Sequence, residues 1–358
     1  MPARRPVLLL AAALVAVVWP QAASALTRDT APLRRLDRPR AVELGATRAF
    51  ATGVLSTSGL ARVSADRWGG QYDTGDGQTV TIYSSSAFAQ DAASQQRWAS
   101  FLGTLLHGSE LSRLTMYLLA GSEIRSVCGR GAVACYSDRE QLLVAPGADP
   151  DESLSAEAVI AHEYGHHVAA NRSNAPWQAV DWGTKRWATA MNVCARTRAG
   201  ELEPGSEGTN YAVNPGEGFA ESFRVANERR LGIPESAWMI VSRTQYPSAA
   251  ALAALEQDVV APWTEPTTSS VSGKVARRRT IALATPLDGA VTVQVTAAAR
   301  ARVRVELLGA SGNRIAAATT GASRTRILNA TACGSRAFKV RLTRLSGGSQ
   351  FSLRFSRP

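Results

Sequence analysis

The chain has 358 residues, enough for two domains that each bury a full core. Beyond its first 25 residues no segment reaches 18 consecutive apolar residues, which excludes a membrane span in the mature protein. The formal charge of +11 is unevenly spread: residues 267–358 carry 16 Lys and Arg against two acidic residues, a net +14, residues 1–25 carry +2, and the stretch between is mildly acidic at −5. Such asymmetry marks two domains with different partners.

Residues 1–25 have the layout of a secretory signal. Arg4 and Arg5 form the charged region, residues 7–19 an apolar region too short to span a membrane, and Ala23-Ser24-Ala25 an A-x-A cleavage site. Cleavage after Ala25 and a secreted, extracellular protein are expected. Nucleic acid is not an expected partner for an exported chain without a recognition motif. Residues 26–48 are rich in Arg and Pro without a clear period and read as a tail or short propeptide.

Strands are expected across residues 50–86, where residues 78–83 alternate at period two. A helix is expected over 87–106, where Trp98, Phe101, Leu102, Leu105 and Leu106 recur at spacings of three and four. Residues 114–119 read as a strand and residues 128–144 as a hairpin.

Export permits disulfides. The mature cysteines are Cys128, Cys135, Cys194 and Cys333. Cys128 and Cys135 flank a Gly-rich turn, which favours a local bridge and leaves Cys194 with Cys333. Four cysteines allow three pairings, and the other two stay open. No C-x-x-C spacing supports a cysteine zinc site.

Residues 152–172 contain His162-Glu163-Tyr164-Gly165-His166, an H-E-x-x-H motif, and hold three of the four histidines of the chain: His162, His166 and His167. On a helix, positions four apart share a face, so His162 and His166 can hold one Zn²⁺ with Glu163 beside them as general base. His167 falls on another side. Asp149, Asp151 or Ser153 suits the helix start and Asn171 its end.

Trp177, Trp182 and Trp187 follow and read as core rather than a ligand platform. Cys194 falls on a helix and residues 201–208 form a loop. A further helix opens at Asn214-Pro215 and carries Glu217 and Glu221 on one face, with Phe219, Ala220 and Phe223 half-burying it. Residues 234–263 read as more helix. A Thr/Ser/Pro linker is placed at 264–272. Residues 273–358 read as a basic antiparallel β-sandwich, with short alternating strands between Gly-rich turns. Arg300, Arg302 and Arg304 share one face there, opposite Val303 and Val305.

A catalytic zinc takes three protein ligands. Glu217, 51 residues after His166, is assigned as the third, and Glu221 as the carboxylate that hydrogen-bonds a ligand imidazole, with the reverse assignment as the competing reading. Glu163 would take a proton from zinc-activated water and pass it to the leaving amine. Tyr211, six residues before Glu217, is the candidate oxyanion donor; a packed or surface tyrosine is the competing reading.

His162-Glu-Tyr-Gly-His166 together with Tyr211-Ala-Val-Asn-Pro-Gly-Glu217-Gly-Phe-Ala-Glu221 resembles the gluzincin metallopeptidases, in particular the branch typified by the catalytic domain of anthrax lethal factor. In that branch the first Glu of an E-x-F-A-E motif is the third ligand and a preceding Tyr assists catalysis. The likeness covers about 25 residues. It implies an α+β zincin-like metallopeptidase domain over residues 49–263, with a small mixed sheet and an H-E-x-x-H active-site helix, ahead of an all-β sandwich domain. The basic C-terminal region is similar to bacterial pre-peptidase C-terminal domains, though it lacks an Asp-rich calcium signature.

The expected function is that of a secreted zinc-dependent endopeptidase with one catalytic Zn²⁺, acting on protein or peptide substrate. Its basic domain would dock on an anionic cell-surface polymer. The alternatives are a cell-wall peptide or amide hydrolase, and a non-catalytic zinc-fold adhesion protein, for which an intact Glu163 would be superfluous.

Overall fold

The structure is a computed structural model and describes residues 67–207, 209–238 and 240–358. The signal sequence at 1–25 with its cleavage site after Ala25, the tail at 26–48 and the expected strand content of 50–66 all lie outside the described residues.

The first half is mixed α/β. Strands β1 (Arg67–Asp73) and β2 (Thr79–Ser85) form a hairpin, followed by helix α1 (Ala92–Thr104), β3 (Thr115–Leu119), α2 (Gly121–Cys128), β4 (Cys135–Ser137) and β5 (Leu142–Pro146). The five strands form one sheet in the order β1-β2-β3-β5-β4. β2, β3 and β5 run parallel, while β1 and β4 pair antiparallel at the edges. β5 is buried along its whole length, as a strand covered on both faces must be.

Helix α3 (Ala156–Ala170) carries the H-E-x-x-H motif. The Ser155 hydroxyl caps it by accepting from the Ala158 N–H at 3.1 Å. Thirteen of its 15 residues are buried, so it runs through the core instead of along a surface. A two-residue ribbon, β6 (Ser173–Asn174) with β7 (Trp177–Gln178), leads into short helices α4 (Ala179–Trp182), α5 (Lys185–Ala190) and α6 (Val193–Arg198). Helix α7 (Pro215–Leu231) begins at an Asn214 cap with Pro215 in its first turn and ends at Gly232 in the left-handed region (φ 67°). Helix α8 (Ala249–Val260) completes this half.

Helices α3 and α7 cross at Gly165. A Cβ on Gly165 would stand 2.8 Å from the Ala220 Cα and 3.1 Å from the Ala220 carbonyl oxygen. The absence of a side chain therefore sets how closely the two helices approach. Phe219 and Phe223 of α7 are fully buried around this crossing in the same core as Tyr164, Trp187 and Leu102. Each Phe contributes about 1.5–3 kcal/mol by burial.

The second half is a β-sandwich with its own core of Val, Leu and Phe. Its strands are β8 (Thr267–Lys274), β9 (Arg278–Ala284), β10 (Gly289–Ala297), β11 (Arg302–Gly309), β12 (Arg314–Thr319), β13 (Thr325–Ala332), β14 (Ala337–Ser346) and β15 (Gln350–Arg357). They form two four-stranded antiparallel sheets, β13-β10-β15-β8 and β12-β11-β14-β9. Val303 and Val305 point into this core while Arg302 and Arg304 are exposed, as the alternation predicts. Arg300 falls in the turn before β11, at φ 60°.

Disulfides join Cys128 to Cys135 and Cys194 to Cys333. The second ties α6 to the sandwich across 139 residues. Beside it the buried Lys185 Nζ donates to the carbonyls of Ala175 and Asp288 and lies 4.6 Å from the Trp263 ring centroid. The Thr189 hydroxyl accepts from the Asp288 N–H at 3.1 Å. Two disulfides place the protein in an oxidising compartment, extracellular or periplasmic. No helix among the described residues is long and apolar enough to cross a membrane.

Three local expectations are corrected, and one strand is added. The stretch 128–144 is not one hairpin: Cys128 ends helix α2, and the β4–β5 hairpin starts at Cys135. Among the described residues of 234–263, only α8 and a short 3₁₀ turn (Arg243–Gln245) are helical, because the Pro- and Ser-rich stretches before them break the pattern. The linker at 264–272 is largely strand, since β8 pairs with β15 from Thr267 onward. Thr and Ser fit a solvated edge strand with little apolar alternation to reveal it. Strand β13 was not anticipated, because its Ile327 faces outward and Leu328 inward, which blurs the period of two.

Candidate metal centre

The α3–α7 crossing brings three chemistry-bearing side chains together. His162 and His166 lie one turn apart on α3, with ring centroids 5.1 Å apart. The Glu217 carboxylate projects from the first turn of α7 toward both. Its Oε2 stands 3.2 Å from His162 Nε2 and 3.3 Å from His166 Nε2. All three side chains are buried. Among the described residues, His162, His166 and Glu217 form a group able to hold a metal ion, each offering one ligand atom and all these atoms within 4.8 Å of one another.

The donor set and its spacing fit a zinc-sized ion. Two donors on a tetrahedral ion with bonds near 2.0–2.1 Å stand roughly 3.3 Å apart. The two measured nitrogen–oxygen separations match that edge. His166 Nε2 is buried without a hydrogen-bond partner, and a buried imidazole nitrogen in that condition suits a Lewis acid.

His162 is oriented from behind. Its Nδ1 lies 3.0 Å from Glu221 Oε2, so in the neutral, metal-binding form of the ring Nδ1 keeps the proton and Nε2 is the nitrogen that faces the convergence point. Glu221 is itself held by Arg224, whose Nε donates to Oε2 at 3.0 Å and whose Nη2 donates to Oε1. Arg224 Nη1 continues to Glu228 Oε2 at 2.6 Å. The sequence reading missed this clamp, although Glu221, Arg224 and Glu228 stand at i, i+3 and i+7 on one helical stripe.

The electrostatics favour positive charge where the ligands converge. Burial opposes the Glu217 carboxylate, but the His166 and His162 imidazoles outweigh it and hold the group well below the usual carboxylate range. Burial likewise opposes protonation of His162, yet Glu217 and Glu221 outweigh it and raise the imidazole to about 10. His166 is raised against the same burial by Glu217.

Glu163 is buried beside His162, and its Oε2 has no hydrogen-bond partner. Burial pushes its carboxyl up to about 7, with the neighbouring imidazoles only partly offsetting that rise. Tyr211 sits in a 3₁₀ turn (Tyr211–Val213) ahead of α7 and donates its hydroxyl to Glu217 Oε2 at 2.6 Å. That places the phenol at the cluster and not on an unrelated surface.

His167 points to the opposite side of α3. Its Nε2–H donates to the Glu110 carbonyl at 2.8 Å, and the Tyr136 hydroxyl stands 3.0 Å from Nδ1. Burial lowers it to about 4, so it is a neutral structural imidazole. Of the three tryptophans, Trp187 is fully buried, while Trp177 and Trp182 stack at 4.7 Å at the periphery.

No protein-family model matches the chain, and no curated protein matches its sequence. Among solved structures the chain is similar to the Yersinia pseudotuberculosis-derived mitogen, with 11% identity over 25% of this chain and 85% of that one at a TM-score of 0.21. It is similar to the pre-peptidase C-terminal domain of a Bacillus anthracis collagenase, with 13% identity over 25% of this chain and 89% of that one, also at 0.21. It is similar to Aeromonas hydrophila PliG, a periplasmic inhibitor of g-type lysozyme, with 9% identity over 26% and 85% at 0.20. Similarity at this level assigns neither a family nor an activity.

Proposed function

We propose that the chain is a zinc-dependent endopeptidase whose first half is a zincin-like domain of gluzincin type. The observation that carries the reading is Glu217 Oε2 at 3.2 Å from His162 Nε2 and 3.3 Å from His166 Nε2, the edge of a tetrahedral zinc site, with the buried Glu163 Oε2 lacking a hydrogen-bond partner alongside.

His162, His166 and Glu217 would hold the metal. A zinc ion bound there supplies the positive charge that polarises a substrate carbonyl and acidifies water. Glu163 accepts the proton of the attacking water at Oε2 and returns it to the departing amine nitrogen. Glu221 and Arg224 keep the His162 ring in one orientation and one tautomer. Tyr211, whose hydroxyl already reaches the cluster, is the donor that turns from Glu217 toward the developing oxyanion.

The test is a pair of proteins, wild type and Glu163→Gln, assayed for bound zinc and for cleavage of casein and of purified cell wall. Both should bind one zinc per chain, and casein hydrolysis should fall roughly 10²–10⁴-fold in the variant. Wall lysis without casein cleavage would move the substrate to wall peptides. A fully zinc-loaded wild type that hydrolyses neither sinks the enzymatic reading.

A further inference from the structure

The two outward faces of the sandwich differ in kind. On the β13-β10-β15-β8 sheet the outward positions are mainly Thr, Ser, Gln and Asn, with two cations, Lys274 and Arg354. On the β12-β11-β14-β9 sheet they carry six cations: Arg278, Arg302, Arg304, Arg314, Lys339 and Arg341. One acid, Glu306, lies among them, with Arg304, Arg341 and Arg314 at 3.4, 3.6 and 3.9 Å. A general abundance of arginine would load both faces alike. Neighbouring strands are roughly 4.8 Å apart and same-face residues on one strand roughly 7 Å, so the cations repel one another and cost stability. Glu306 relieves that only locally.

Apart from Glu306 and the buried Leu308 on β11, the residues between the cations are small: Thr280 and Ala282 on β9, Thr343 on β14 and Ala317 on β12. The exposed guanidinium groups therefore stand clear of bulky neighbours over most of the sheet, and no aromatic side chain occupies an outward position of it. Binding by base stacking, the usual means of holding single-stranded nucleic acid, has no platform here. Five of the six cations are arginine, whose planar fork suits phosphate oxygens. The two disulfides place the chain in an extracellular or periplasmic compartment.

We infer that the outer face of the β12-β11-β14-β9 sheet docks a linear phosphodiester polymer of the cell envelope, and that the opposite face does not. The docking is independent of the metal centre and holds whether or not the first half is a peptidase.

The experiment measures binding of the purified protein to immobilised poly(glycerol phosphate) across a salt series. It compares wild type with Arg278→Gln/Arg302→Gln/Lys339→Gln and with Arg139→Gln/Lys274→Gln/Arg354→Gln, which removes the same charge elsewhere. Thermal melts establish that all three are folded. The first variant should bind at least about tenfold more weakly, and the slope of log affinity against log salt should shrink by about two if each lost cation neutralised one phosphate. The second should stay within about twofold of wild type. Equal weakening of both variants, or none in the first, overturns the inference. So does tighter binding of wild type to polygalacturonate, to phosphatidylglycerol vesicles or to oligothymidylate.

Discussion

Replacing Gly165 by Ala tests the idea that helix approach sets the metal site. The added Cβ would meet the Ala220 Cα at 2.8 Å. Carbon atoms in ordinary contact stand about 3.5–4.0 Å apart, so α3 and α7 must separate by about 1 Å. Two effects on stability then compete. Alanine is the better helix former by about 1 kcal/mol. Overpacking a core typically costs about 1–3 kcal/mol, and the obstructing atoms here are backbone that cannot rotate away. The net expectation is destabilisation of about 1 kcal/mol. The larger effect falls on the site. Glu217 rides on α7, and a 1 Å retreat moves its Oε2 from 3.2–3.3 Å to about 4 Å from the imidazoles. That exceeds the roughly 3.3 Å edge a tetrahedral zinc requires. Zinc affinity, measured by competition with a chromophoric chelator, should drop roughly 100-fold or more, beyond the range seen when only an outer partner of a ligand is lost. A Gly165→Ala protein that is as stable as wild type and binds zinc equally well would refute the reasoning.

Arg224→Met removes the cation between Glu221 and Glu228 and leaves two buried carboxylates under-compensated. The chain should lose about 3–5 kcal/mol in urea unfolding; a loss below about 1 kcal/mol would mean that His162 on Glu221, and Ser236, which donates its N–H and hydroxyl to Glu228, suffice as partners. The two disulfides should differ in worth. Chain entropy assigns about 5 kcal/mol to the 139-residue Cys194–Cys333 loop and about 2 kcal/mol to the seven-residue Cys128–Cys135 loop, which paired Cys→Ala variants can compare. Burial holds Lys185 down to about 8, with Asp288 and Asp258 only partly offsetting it, against 10.5 for a free lysine. Between those values the unfolded chain binds the extra proton, so the Lys185 contribution to stability rises with pH. Subtracting the Lys185→Met profile from wild type should isolate that rise, and parallel profiles would rule it out.

The candidate site was legible because histidine is scarce. With three of four histidines within six residues, a spacing of four stood out, and the matched acidic pair on the next capped helix suggested where a third ligand arrives. What the sequence could not convey is contact between helices. Gly165 reads as an ordinary weak helix residue until α7 passes over it, and its value lies in the Ala220 backbone opposite. Arg224 was detectable in principle from its spacing to Glu221 and Glu228, but solvated helix faces carry the same pattern. Strand β8 was hidden for the converse reason. It is an edge strand with only Val271 and Gly273 partly covered, so burial leaves almost no trace in its residues. Sandwich strands with strict apolar alternation, such as β10 and β14, were plain.

The Cys194–Cys333 bridge also determines how the molecule comes apart. Only residues 261–266 connect α8 to β8 along the chain. Severing that segment would not liberate the sandwich, because the bridge still joins the two fragments. A nicked protein would migrate as one species on a non-reducing gel and as two after thiol treatment. Release of the sandwich thus requires two unlike chemical events, hydrolysis of a peptide bond and reduction of a disulfide, and an environment that supplies only one of them keeps the halves as a single covalent molecule.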